Sequence, residues 1–148
     1  MLGILDSFKK DDPAMWTEKA FELFKSDRYD EAVKCCDEAL RLRLDYSEAW
    51  KHKGYALDHL GRHEESIKCY DEALRLKLDD FSALTGKTYA LIHLKRYEEA
   101  IKYHDLLLNK MPNEPYYLSF KAVTLENLGR HDEAKKLRQQ AEKLWGWK

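Results

Sequence analysis

A displacement of 34 residues lays this sequence over itself, with Trp16 falling on Trp50 and Leu23, Leu57, Leu91 and Leu125 forming one column without a gap. Recurrence at such a period marks an array of supersecondary units, each burying its apolar face against its neighbours. The register runs through units 13–46, 47–80, 81–114 and 115–148 and leaves residues 1–12 outside. Within each unit, large residues alternate with small ones. The fourth position holds Trp16, Trp50, Leu84 and Leu118, the eighth Ala20, Gly54, Thr88 and Ala122, and the twentieth Ala32, Ser66, Ala100 and Ala134. Small side chains there let two helices approach closely enough for ridges to enter grooves.

Apolar spacing of three and four, a short break, and a second amphipathic run predict a helix, a turn and a helix in every unit. The break reads Asp27-Arg28, Gly61-Arg62, Lys95-Arg96 and Gly129-Arg130. Asp or Gly in three of these suits a left-handed residue ending the first helix, and Lys95 is expected to carry mild strain. Paired acids open each second helix, Asp30-Glu31, Glu64-Glu65, Glu98-Glu99 and Asp132-Glu133, where the helix dipole favours negative charge. Pro112 and Pro115 fit chain breaks between units.

The run W-x-x-K-G from Trp50, followed from Gly61 by G-R-H-E-E-S-I-x-x-Y-x-x-A-L, resembles the tetratricopeptide repeat, its prokaryotic form in particular. The resemblance implies an all-α superhelical solenoid of four antiparallel helix pairs, whose first helices line a concave groove that binds a peptide or helix of a partner protein. Leu84 and Leu118 in place of Trp, Thr88 in place of Gly, and a lysine at the seventh position of every unit depart from the pattern. Two readings stand for Lys19, Lys53, Lys87 and Lys121: an anion-binding stripe, or aliphatic stems packed on the helix with amines reaching water or the acids that open the second helices. By the family's geometry the groove takes Phe21, Phe24, Lys25, Lys51, His52, Tyr55, Asp58, His59, Tyr89, Ile92, His93, Tyr116, Phe120 and Val123. Aromatic anchors with mixed charge around them suit an extended peptide or amphipathic helix. Gly86 on the same face is expected to leave room for a side chain from outside. A carboxylate clamp of the chaperone-binding type is absent, since Thr17, Phe21, His52, Ser82 and Gly86 stand at its positions.

Charge excludes other classes. Twenty-six basic residues meet 27 acidic ones, so no single-sign field exists for nucleic acid or an anionic bilayer. The opening MLGILDSFKKDD lacks the form of a signal peptide and no segment reaches membrane-spanning length, which predicts a soluble cytoplasmic protein. Cys35, Cys36 and Cys69 lack ligand or disulfide spacing and read as small apolar residues of a reducing compartment. His63 and His131 share a column with Tyr29 and Tyr97 and read as ring substitutes at the helix turn; His104 occupies a core column. No metal, cofactor or catalytic constellation is expected.

At the ends, Lys135, Arg138 and Glu142 replace apolar residues of earlier units, so no fifth repeat is expected to stack there. Gly146 is expected to cap the last helix with Trp147 folding back; Trp145 or Trp147 as a self-association anchor is the competing reading. Leu2, Leu5 and Phe8 are expected to cover the first helix pair. The alternative to ligand capture is a homo-oligomer formed through the terminal faces or by exchange of the N-terminal segment.

Overall fold

A computed structural model describes residues 11–146. The expectations for Leu2, Leu5, Phe8 and Trp147 lie outside the described residues. Among those residues there are eight helices and no strand: α1 Pro13–Phe24, α2 Tyr29–Leu42, α3 Ser47–His59, α4 His63–Leu76, α5 Phe81–His93, α6 Tyr97–Lys110, α7 Pro115–Asn127 and α8 His131–Trp145. The all-α architecture of repeated helix pairs is therefore present. Contacts divide the chain into two compact units, Met1–Ala90 and Leu91–Lys148.

One backbone device ends four of the helices. Asp27, Gly61, Lys95 and Gly129 all take the left-handed conformation, at φ of 54°, 76°, 58° and 75°. The following arginine amide then reaches back to a leucine carbonyl: Arg28 to Leu23 at 3.0 Å, Arg62 to Leu57 at 2.9 Å, Arg96 to Leu91 at 2.8 Å and Arg130 to Leu125 at 2.9 Å. These six-to-one bonds satisfy carbonyls that a helix end leaves open. The recurrent leucine column is therefore both a packing and a capping position. Gly146 closes α8 in the same left-handed region at φ 70°.

The second helix of each pair starts on that arginine. Its guanidinium grips the glutamate three residues on, at 2.7 Å in Arg28–Glu31, 2.8 Å in Arg62–Glu65, 2.7 Å in Arg96–Glu99 and 2.8 Å in Arg130–Glu133. The hydrogen bond from arginine holds Glu31, Glu65 and Glu133 below the usual carboxylate range. These pairs are exposed, so they fix the start of the helix more than they stabilise the fold.

In the first unit, α1 packs on α2 and on α3, α2 on α3, and α3 on α4. Ala20 and Ala32 are fully buried, and the Ser66 hydroxyl donates to the Gly54 carbonyl at 2.8 Å, so backbones meet where the small columns run. Tyr70, Ala73 and Ala83 continue this core with Trp50 and Leu74 against them. In the second unit, α7 packs on α6 and α8, with Ile101, Ala122, Leu125 and Ala134 at the centre. Burial pushes the Cys36 thiol up to about 12 and Cys69 to about 11, so both are inert small apolar residues at neutral pH.

The lysine column has an arrangement that neither sequence reading named. Lys53 pairs with Asp37 at 2.7 Å, Lys87 with Asp71, and Lys121 with Asp105 at 2.6 Å. The acids lie in the middle of the preceding second helix and are not those that open it. Each bond thus joins one helix pair to the next, and the sequence repeats it at 34 residues. Lys19 instead lies over the Trp16 ring, 5.3 Å from its centroid. In α8 the matching acid position is Gln139, while Arg138 bonds Glu126 of α7 at 2.7 Å.

Lys95 alone holds a left-handed turn with a long side chain, a conformation costing about 1 kcal/mol for a residue with a Cβ. Lys95→Gly is expected to raise stability by about 0.5–1 kcal/mol, and Gly61→Ala to lower it by about 1 kcal/mol, in urea unfolding followed by circular dichroism.

Candidate functional site

Three rings recur at the same place on the first helices of successive pairs. Phe21 on α1, Tyr55 on α3 and Tyr89 on α5 are 52%, 41% and 39% exposed, each directly after a buried small residue. Around the first two, the rings form one connected cluster within the first unit. Phe24 lies 6.3 Å from Phe21, 5.6 Å from His52 and 4.8 Å from Tyr55 between centroids. Tyr55 lies 4.4 Å from His59. Tyr29, the first residue of α2, stacks on His59 at 4.6 Å with an interplanar angle of 5°.

Tyr29 was not among the sequence candidates. It sits in the turn column, and only the return of the chain after Asp27 carries it onto the face of the first helices. Its hydroxyl donates to the Asp27 carboxylate at 2.9 Å, which fixes the ring beside the left-handed turn. Edge and stacked contacts of this kind contribute beyond simple area burial and hold the cluster as a firm surface. An open cavity of about 330 Å³ adjoins it, lined by Thr17, Glu18, Phe21, Glu22 and His52.

The polar candidates behave differently from the rings. Lys25 lies 5.3 Å above the Phe21 ring and bonds Glu22 at 2.7 Å. Lys51 is largely covered, donating to Glu48 at 2.8 Å and to Asp80 at 3.2 Å. Asp80 also accepts from the Ala83 amide at 3.1 Å, so Lys51 ties α3 to the start of α5. Burial lowers the His52 imidazole below its usual range, which leaves it neutral near pH 7.

Two expectations are corrected. Gly86 does not open onto vacant space: a Cβ built there falls well inside 3.0 Å of the Tyr70 ring, and one at Gly54 meets the same ring at 3.0 Å. Tyr70, almost wholly buried, fills from within the room that the glycine leaves. His63 is more than a ring substitute, since its Nδ1 lies 2.6 Å from Asp58 Oδ1. Asp58, expected to offer a polar contact to a guest, is engaged there and largely covered.

In the second unit Tyr116 is 43% and Val123 45% exposed, His93 is exposed, and Ile92 and Phe120 are half-buried. Tyr116 and Phe120 lie 5.9 Å apart, and Phe120 sits edge-on against His104 at 4.5 Å. His104 is completely buried. Thr124 donates its hydroxyl to the Phe120 carbonyl at 3.3 Å and therefore accepts from His104 Nε2 at 2.9 Å, which leaves Nδ1 as a buried lone pair without a partner. Among the described residues no three His, Cys, Asp or Glu side chains are grouped to hold a metal, and no helix is long and apolar enough to cross a membrane.

The tetratricopeptide repeat profile matches residues 17–83 and 60–115, well over half of the sequence. The chain belongs to the tetratricopeptide repeat family. No sequence among the curated proteins matches it. Its fold is similar to that of MamA, with a TM-score of 0.87 at 14% identity over 97% of this chain and 84% of that one. MamA from residue 41 to its end, from Desulfovibrio magneticus RS-1, gives 0.82 at 18% identity over 89% of this chain and 75% of that one. YrrB, a TPR protein with an unusual peptide-binding site, gives 0.79 at 19% identity over 91% of this chain and 70% of that one. At these identities the likeness carries the tetratricopeptide fold.

Burial of His104 gives this tetratricopeptide chain a pH dependence with a definite sign. Its pKa falls from 6.5 to about 4, chiefly because burial disfavours the charged ring and then because Lys121 lies near, with Asp105 opposing. The unfolded chain binds the proton first, so the stabilisation is full above pH 6.5 and is lost as pH falls toward about 4. His104→Leu is expected to remove on the order of 3 kcal/mol of that acid-side loss, measured as unfolding free energy against pH beside the parent protein. Equal slopes in the two proteins would contradict it.

Proposed function

We propose that the chain is a protein-interaction module that takes up a peptide or amphipathic helix of a partner protein on the ring-bearing face of its first helices. The observation that carries this reading is the exposure of Phe21, Tyr55 and Tyr89 at one repeated position, the first two within a connected ring cluster. A folded chain gains by covering such rings, and covering the half that each still exposes contributes roughly 1 kcal/mol per ring. Contiguous exposed rings mark interaction surfaces more often than isolated ones do.

The residues proposed to meet the guest are Phe21, Phe24, His52, Tyr55, His59 and Tyr89, with Tyr29 supporting them. Lys25 stands at the margin. Lys51 acts through the fold, because its donors are already held by Glu48 and Asp80. Ile92, His93, Tyr116 and Phe120 belong to the second unit and are proposed as further contacts for a guest on that unit's own face. YrrB is a TPR protein with an unusual peptide-binding site, which supports binding of a polypeptide by a chain of this fold. The same reading makes the protein a scaffold and not a catalyst.

Self-association is the second reading, favoured by Leu144 and Trp145 at the end of α8, which are 43% and 54% exposed. The two are separated by one experiment. Tyr55→Ala combined with Tyr89→Ala is expected to retain the helical circular dichroism of the parent while losing at least about tenfold in partner capture from the native cell. Undiminished capture would remove the ring face as the site. A concentration-dependent oligomer in light scattering, abolished by Trp145→Ala and unaffected by the double substitution, would favour assembly instead.

A further inference from the structure

Charge beside the ring cluster is unbalanced in a way that the rings themselves do not require. Glu18 and Glu22 stand one turn apart on α1 and, with Phe21 and His52, line the open cavity of about 330 Å³. The neighbouring lysines are both engaged. Lys25 is held by Glu22 at 2.7 Å, and Lys51 by Glu48 at 2.8 Å and Asp80 at 3.2 Å. Glu18, at the cavity, is bonded by neither lysine, and the His52 imidazole, neutral through burial, adds no positive charge. The face is an apolar ring surface with net acid at its margin, although the whole chain is nearly neutral at −1.

We infer that this face selects a partner segment in which a lysine or arginine stands beside an apolar or aromatic residue, the apolar side chain covering Phe21 and Tyr55 and the cation entering the cavity between Glu18, Glu22 and His52. The inference rests on the proposed reading of the ring face as a binding surface and names the chemistry of what binds there. Two interactions act together on such a guest. The carboxylates attract the cation and raise the rate of encounter. Lys25 already lies 5.3 Å over the Phe21 ring and is held by Glu22, so the guest cation is placed at the Glu18 side of the cavity while its apolar neighbour covers the rings. An acidic segment meets the same rings against like charge, which is how the site rejects it.

The test uses the full chain and two fluorescein-labelled synthetic peptides, one alternating leucine with lysine and the other carrying glutamate in place of each lysine, read by fluorescence anisotropy at physiological salt. The lysine peptide is expected to bind at least about tenfold more tightly than the glutamate peptide, and to weaken as salt rises. Glu18→Lys with Glu22→Lys is expected to bring the two within about twofold, while Glu38→Lys with Glu72→Lys, on α2 and α4, leaves the preference intact. Equal binding of both peptides, a preference that survives reversal at Glu18 and Glu22, or one that falls equally on reversal at Glu38 and Glu72 would overturn the charge inference and leave the ring face standing. Failure of both peptides to bind the parent protein, or binding of the lysine peptide unchanged by Tyr55→Ala with Tyr89→Ala, would overturn the ring face together with the inference built on it.

Discussion

Close approach of one helix to the next at a column of small residues is the constraint on which everything else depends. Ala20 and Ala32, Ser66 against the Gly54 carbonyl, and Ala122 with Ala134 are fully buried where helices meet, and small residues recur there because each helix pair packs in the same way. Once the backbones are that near, the leucine column turns inward and its carbonyls receive the arginine amides that close the turns. The same geometry turns the ninth residue of each first helix outward. Phe21, Tyr55 and Tyr89 are exposed because the small residues one position before them are buried.

Polar residues then fix the register that packing permits. Asp37–Lys53, Asp71–Lys87 and Asp105–Lys121 each link a second helix to the first helix that follows. Half-exposed pairs of this kind contribute little stability, up to about 1 kcal/mol each, but they are directional, whereas apolar contact is not. Their value lies in penalising a helix pair that slips by a turn.

The period, the break inside each unit, the left-handed turns and the ring column were all legible in the sequence, because each depends on residue type at a fixed spacing. What escaped was pairing between positions far apart in the chain. The lysine column announces itself, but its partners stand sixteen residues earlier among many other acids, and only the stacking of helices selects Asp37, Asp71 and Asp105. Gly86 looks like a vacancy until Tyr70 from the preceding helix is seen to occupy it; His104, at the place matching Tyr70, meets Phe120, at the place matching Gly86, so a large residue on one side goes with a smaller one on the other. Tyr29 joined the candidate face for the same reason, since the turn at Asp27 brings it back onto His59. His104 was legible as a core residue from its column alone, whereas its partners Thr124 and Phe120 on the next helix were not.

The central claim is that the outward rings of the first unit meet a guest polypeptide directly. A photo-crosslinking side chain placed at Phe21, with a second variant bearing it at Leu44 on the turn after α2, where the native residue is 70% exposed, tests this in the native cell. The account predicts a discrete crosslinked partner from position 21 and none from position 44. A crosslink of the same species from position 44 and not from position 21 would contradict it.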